Sequence, residues 1–240
     1  MSPNRRWLLL LLGTVLGVAL SSVAHWYGVP RAAPAPAPTD PAGALAELRT
    51  GNARYVASHR ALTTDTASDG ERRLLLAKGQ HPFAAVLCCA DSRICPEFIF
   101  DQYVGSIFEI RNAGNVVDDD VLGSLEYAVE HLQIPLVLVL GHKGCGAIAA
   151  VHEAGDQPLP DHLQALQEHM KGIHQEVLNT HGQHTAELLD RLSRENARQQ
   201  SLTLLRESEP LKTAAGRGAV RVVYCLYDME TGAVEFFDVE

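Results

Sequence analysis

Three side chains that bind soft metal ions stand in two short motifs of this sequence. Cys89 ends the apolar run FAAVLCC and is followed by Asp91 and Arg93, while His142 and Cys145 belong to the motif HKGC. Two thiolates and one imidazole suit zinc, and three protein ligands leave a fourth position open for chemistry. Asp91 can reach the metal or the group bound to it, and Arg93 can keep that carboxylate ionised. The pattern predicts a catalytic site with a zinc hydroxide near neutral pH.

The adjacent cysteines Cys88 and Cys89 allow other interpretations. A disulfide between neighbours is strained, and the odd total of five cysteines argues against a disulfide scaffold. Thiol redox chemistry stays open, and it requires that activity depend on the thiols but not on a metal. Because successive strand residues point to opposite faces, Cys88 is expected to be a buried apolar residue. Cys95 and Cys225 are also expected in the core.

Apolar runs and helical periodicity alternate along the body of the chain. Strands are predicted at 83–90, at a segment ending near 110 and at 135–142, with a final hairpin around 231–232. Helices are predicted near 42–58, 71–79, 120–133 and 143–153, and over most of 160–210. This order predicts an α/β fold, a mainly parallel sheet flanked by helices with a C-terminal hairpin. Sites in such sheets lie beyond the carboxyl ends of the strands, where Cys89, His142 and Cys145 are expected to meet.

The first 40 residues have a different composition from the rest. Residues 1–24 contain a basic pair followed by 18 uncharged residues from position 7, and end in small residues. This is the layout of an export signal, and residues 7–24 are also long enough to span a bilayer as a retained anchor. Residues 25–40 are a Pro/Ala-rich tether, and the catalytic domain is expected at 41–240. The protein is therefore expected in the periplasm, or anchored to the inner membrane and facing the periplasm.

The charge of the chain excludes one class of partner. The formal net charge is −9, and lysine and arginine form no stripe. Binding to nucleic acid requires clustered basic residues that neutralise phosphates, so no nucleic-acid partner is expected.

Four motifs together resemble the β-class carbonic anhydrases: CADSR at 89–93, RNAGN at 111–115, EYAVEHL at 126–132 and GHKGCGA at 141–147. The resemblance runs from about residue 44 to the final hairpin and is weakest over 155–212. It implies the reversible hydration of carbon dioxide to bicarbonate and a proton, with zinc hydroxide as nucleophile, by a homodimer or tetramer. It also implies one zinc ion per chain, held by Cys89, His142 and Cys145.

The resemblance implies further roles around the zinc. Asp91 and Arg93 are expected to form a dyad, in which Asp91 either replaces the water on the metal or pairs with Arg93 and leaves the site open. Gln102 is expected to donate a hydrogen bond to bound substrate, its alternative being a solvated loop residue. Gly146 follows Cys145 and is expected to offer a backbone amide to substrate, unless it serves only the tight turn.

Two other functions stay open. In one, Asp91 keeps the zinc closed and the chain is a bicarbonate-responsive binding module. In the other, the same ligands hydrolyse a related electrophile such as carbon disulfide, because a fold does not fix a substrate.

Overall fold

The computed structural model describes residues 37–59, 70–181 and 187–239. The predicted signal or anchor and residues 25–36 of the predicted tether lie outside the described residues. Within the described ranges, no helix is both long enough and apolar enough to cross a bilayer.

A five-stranded sheet forms the centre of the fold. The strands are β1 (Ala84–Cys89), β2 (Ile107–Asn112), β3 (Leu136–His142), β4 (Arg221–Tyr227) and β5 (Val234–Asp238). Their order is β2-β1-β3-β4-β5, and β5 alone among these strands runs antiparallel to its neighbour. The predicted α/β class, the parallel sheet and the C-terminal hairpin are thus confirmed.

Helices cover both faces of this sheet. They are α1 (Pro41–Val56), α2 (Gly70–Leu76), α3 (Pro96–Ile99), α4 (Asp119–Glu130), α5 (Gly146–Ala154), α6 (Leu163–His181), α7 (Leu188–Glu207) and α8 (Glu209–Gly216). The short helix α3 and a 3-10 turn at Ala113–Asn115 are absent from the sequence prediction. Both elements lie in loops that follow strands, so they bear directly on the geometry of the predicted site.

The position of β1 in the sheet explains why its sequence is apolar without interruption. It lies between β2 and β3, and all six of its residues are buried. Val86 and Cys88 pack on the face covered by α1 and α3, whereas Ala85 and Leu87 pack on the face covered by α4, α7 and α8. Parallel strands covered on both faces need such continuous apolar runs. The alternation confirms the prediction that Cys88 is an apolar core residue.

One cysteine prediction is wrong. Cys225 is fully buried as expected, but Cys95 is only partly buried. Cys95 precedes the first turn of α3, and its thiol donates to Glu97 Oε2 at 3.8 Å. The start of this short helix turns the side chain away from the core and toward two carboxylates, those of Glu97 and Glu109.

Candidate metal centre

Three potential metal ligands meet beyond the carboxyl ends of β1 and β3. The ligand atoms of Cys89, His142 and Cys145 all lie within 4.8 Å of one another, and the two sulfur atoms are 3.9 Å apart. Each residue is at most 4% exposed. Because β1 and β3 are adjacent and parallel, the last residue of each strand arrives at the same rim. The predicted convergence of the three side chains is confirmed.

The imidazole of His142 is oriented by the loop that follows it. Its Nδ1 lies 2.9 Å from the carbonyl oxygen of Lys143, so Nδ1–H donates and Nε2 carries the free lone pair. Nε2 is buried and has no hydrogen-bond partner among the described residues. A buried acceptor without a partner is costly, so its direction toward the two sulfur atoms indicates that a cation belongs there.

The loop that carries His142 and Cys145 is attached to the neighbouring strand β4. The backbone N–H of Lys143 donates to the carbonyl of Tyr227 at 2.9 Å, and Lys143 Nζ donates to Asp228 at 3.1 Å. Gly144 then adopts a positive φ of 61°, a conformation that costs glycine little. Cys145 directly precedes α5, so its sulfur lies at the N-terminus of that helix. These contacts fix the loop independently of any metal.

The two sulfur atoms lie close enough for each thiol to change the pKa of the other. The hydrogen bond between the two sulfur atoms lowers the pKa of Cys89, and the N–H of Gly114 also donates to the Cys89 sulfur, at 3.4 Å. The presence of Cys89, together with burial, raises the pKa of Cys145, because a second thiolate would face the first. A divalent cation in this position would offset the repulsion between the two sulfur charges and so permit both thiolates.

The carboxylate of Asp91 is held by Arg93. The guanidinium donates from Nε to Oδ1 at 2.9 Å and from Nη2 to Oδ2 at 2.7 Å, and the backbone N–H of Arg93 donates to Oδ1 at 3.0 Å. These bonds place the pKa of Asp91 well below its usual range. Asp91 Oδ2 lies 4.0 Å from Nε2 of His142, so the dyad borders the cluster. In this structure Asp91 thus pairs with Arg93.

The two residues proposed to contact substrate have different surroundings. Gln102 is buried, and its amide nitrogen donates to Glu47 of α1 and to the carbonyl of Phe100, both at 3.0 Å. Gly146 is exposed at the start of α5, with open space where a Cβ would stand. Substrate binding by Gln102 and by Gly146 stays a prediction, and in this chain the nitrogen of Gln102 serves the packing of α1.

The donor set fits zinc rather than a harder cation. Two thiol sulfurs and one imidazole nitrogen point at a common volume in a buried site, whereas magnesium and calcium require oxygen ligands. The nearby carboxylate of Asp91 is already held by Arg93. Three protein ligands are the number that a catalytic zinc site uses, whereas a structural site uses four.

Comparisons with known proteins point to one family. The sequence profile of the carbonic anhydrase family matches residues 84–234. Carbonic anhydrase 2 of Mycobacterium tuberculosis is 46% identical over 123 residues, 51% of this chain and 58% of that protein. The chain thus spans little more than half the length of this relative. The carbonic anhydrase of Synechococcus elongatus is 32% identical over 199 residues, 78% of this chain and 68% of that protein.

A solved structure has the same fold. The β-carbonic anhydrase CafA of Aspergillus fumigatus superimposes with a TM-score of 0.64 at 27% sequence identity, over 83% of this chain and 91% of that chain.

Proposed function

This chain belongs to the β-class carbonic anhydrase family, and we propose that it catalyses the reversible hydration of carbon dioxide to bicarbonate and a proton. The observation that carries this proposal is the buried group of Cys89, His142 and Cys145 beside the carboxylate of Asp91. Within the described part of the chain, Nε2 of His142 has no hydrogen-bond partner. When bound there, zinc supplies a Lewis acid that makes water nucleophilic near neutral pH.

Two side chains of the dyad act on the reacting groups in this proposal. Asp91 accepts a hydrogen bond from the nucleophile at Oδ2 and so orients it. Arg93 keeps that carboxylate ionised and away from the metal position, and it also donates to the carbonyl of Gly144 at 3.3 Å. Because Arg93 thereby spans the loops after β1 and β3, it couples the orientation of Asp91 to the loop that carries two of the ligands.

Zinc content and stopped-flow hydration of carbon dioxide test the proposal on the full chain. We expect one zinc per chain and rapid turnover. Asp91→Ala should keep the zinc and lower kcat by about 100-fold or more, since a positioned proton acceptor contributes at that level. His142→Ala should lose the zinc. Cys88→Ala is the matched control, because Cys88 adjoins a ligand but lies in the core on the opposite face.

The other functions give different results in the same experiment. A binding module would contain zinc and show no turnover from neutral to alkaline pH. A hydrolase of another electrophile would turn over carbon disulfide and not carbon dioxide. Thiol redox chemistry would survive removal of zinc and would be lost in Cys88→Ala. Full activity in metal-free His142→Ala would refute the whole scheme.

We further propose that the protein is exported to the periplasm, or retained at the inner membrane by residues 7–24. The support is the basic pair at residues 5–6, followed by an apolar run and a small-residue exit. Cell fractionation followed by N-terminal sequencing distinguishes these outcomes. A soluble periplasmic chain that begins near residue 25 indicates cleavage, and a membrane-bound chain that retains residue 1 indicates an anchor. A chain found only in the cytoplasm would refute export.

We also propose that the chain forms a homodimer or tetramer. Within the part that the structure describes, β2 is an edge strand, and the apolar side chains of Phe98, Val104 and Tyr127 are 46–49% exposed. Unpaired strand edges and exposed apolar side chains favour association. Sedimentation equilibrium at several concentrations tests this, and a monomer at every concentration would refute it.

A further inference from the structure

Two buried amide side chains on α7 are used by no part of the proposed mechanism. Asn196 is 1% exposed and Gln200 is 3% exposed, and both are directed at the loop that follows β2. Asn196 Nδ2 donates to the carbonyl of Gly114 at 2.8 Å, and Gln200 Oε1 accepts from the N–H of Val117 at 2.8 Å. Gln200 Nε2 also donates to Asn196 Oδ1 at 3.2 Å. Buried amides cost stability unless satisfied, and these two are satisfied by one loop and by each other.

The residue whose carbonyl Asn196 holds also contacts a proposed zinc ligand. The N–H of Gly114 donates to Cys89 Sγ at 3.4 Å, while its carbonyl accepts from Asn196. Gly114 has a positive φ of 74°, and the side chain of Asn112 closes the turn by two bonds to the backbone of Val116. Both peptide groups that meet at Gly114 are therefore held, and the backbone conformation of Gly114 links the direction of its N–H to the position of its carbonyl.

We propose that Asn196, supported by Gln200, is a positioning residue for the Cys89 ligand. By holding the carbonyl of Gly114, Asn196 fixes the backbone conformation of this residue, and with it the direction of the Gly114 N–H that donates to the Cys89 sulfur. This hydrogen bond withdraws charge from the thiolate and orients its lone pairs toward the metal. Partners of metal ligands commonly change metal affinity by about 10- to 100-fold when removed. The inference rests on the proposed function only for its effect on turnover.

The cobalt(II)-substituted full chain gives a readout that a purely structural role does not change. Its sulfur-to-cobalt charge-transfer band reports the energy of the thiolate lone pair, and chelator competition reports zinc affinity. In Asn196→Leu we expect the band to move to longer wavelength and zinc affinity to fall about 10-fold or more. Gln200→Glu keeps an acceptor for Val117 but removes the donor to Asn196, so it should give a smaller shift in the same direction.

A matched control separates positioning from stability. Leu204→Ala truncates a buried residue of the same helix in the core that faces α4 and α8. It should lower the melting temperature and leave the band unchanged. An unchanged band and zinc affinity in Asn196→Leu would overturn the inference. If that variant does not fold, an unchanged band in Gln200→Glu would overturn it. A wild-type chain with thiolate bands but no hydration activity would refute the proposed function and leave this inference standing.

Discussion

Asn52 joins α1 to two segments distant in sequence, and we predict that replacing it by alanine destabilises the fold. Its Nδ2 donates to the carbonyl of Ile99 at 3.1 Å and to that of Gly232 at 2.9 Å, and its Oδ1 accepts from the N–H of Val234 at 3.0 Å. Ile99 belongs to the segment after the Asp91–Arg93 dyad, and Gly232 to the turn of the hairpin. One buried side chain thus ties both segments to α1.

The contacts set the size of the effect. Asn52→Ala leaves three backbone groups without this partner, and a buried group left unpaired costs about 1–3 kcal/mol. The bonds to Gly232 and Val234 are only partly buried, so water compensates part of their loss. We therefore expect the free energy of unfolding to fall by about 3 kcal/mol, which is near the upper end for single substitutions.

Asn52→Asp provides a sharper test because it changes charge at nearly constant shape. One carboxylate oxygen still accepts from Val234, but the other faces the carbonyls of Ile99 and Gly232. Burial and these oxygens raise the pKa of the new carboxyl in the folded state. Stability relative to the unfolded chain is therefore lost as pH rises above the ordinary aspartate pKa, ~4. Asn52→Asp should be less stable than Asn52→Ala at pH 7, and the difference should shrink at pH 5.

Urea unfolding followed by far-UV circular dichroism at both pH values measures the free energies of unfolding of the wild type and the two variants. Asn179→Ala, an exposed change on α6, is the control and should alter stability little. Equal stability of wild type and Asn52→Ala would refute the reasoning, as would an Asn52→Asp variant that is the more stable of the two at pH 7.

Three further predictions follow from other residues. Burial, and then a hydrogen bond with the carboxyl of Glu97, raises the pKa of Glu109 from 4.5 to about 8, so the contribution of Glu109 to wild-type stability falls between these pH values. The free energy of unfolding of Glu109→Gln should therefore equal that of the wild type near pH 4.5. Above pH 8 it should be higher by about 1–2 kcal/mol, after allowance for solvent screening, and pH-dependent thermal unfolding measures the difference. A Cβ on Gly51 would lie 1.8 Å from the backbone oxygen of Phe100, so Gly51→Ala should lower the free energy of unfolding by about 3 kcal/mol. Gly123 has open space around its Cβ position, so Gly123→Ala should not lower it. Urea unfolding measures both variants. Arg93→Ala should keep zinc but lose at least about 10-fold in kcat, because the freed carboxylate of Asp91 can move to the metal. In stopped flow, added guanidinium should restore part of the rate, since the Arg93 side chain is 58% exposed and its place is open to solvent.

The ligands could be predicted from the sequence because one rule of sheet topology and one of strand periodicity determine their positions. Apolar strands of a parallel sheet end at one rim, and alternation along β1 sends Cys88 to the core and leaves Cys89 at the site. The tautomer of His142 could not be predicted in this way. It depends on the direction of the Lys143 carbonyl, which is set by a turn and by hydrogen bonds to β4.

The supporting amides could not be predicted for a different reason. Asn196 lies 82 positions from Gly114, and Asn52 lies 180 positions from Gly232. Within their helices both residues look like ordinary polar positions, and no local spacing marks them as buried. Only the packing of α7 and α1 on the sheet brings them to these carbonyls. Cys95 is the opposite case, a residue expected in the core that is partly exposed. Its apolar neighbours suggest the core, while a one-turn helix places it near the surface.

The dyad bears on whether the metal position is open or closed, which the sequence left undecided. Three donors from Arg93 lie 2.7–3.0 Å from the oxygens of Asp91, whereas the approach of Asp91 to His142 Nε2 is 4.0 Å. The same donors lower the pKa of Asp91, and the guanidinium stays protonated, so both partners remain charged near neutral pH. A change of pH in that range therefore does not break the pair by titrating it. Removal of the guanidinium does, and for this reason the Arg93 variant tests the open state more directly than a pH series.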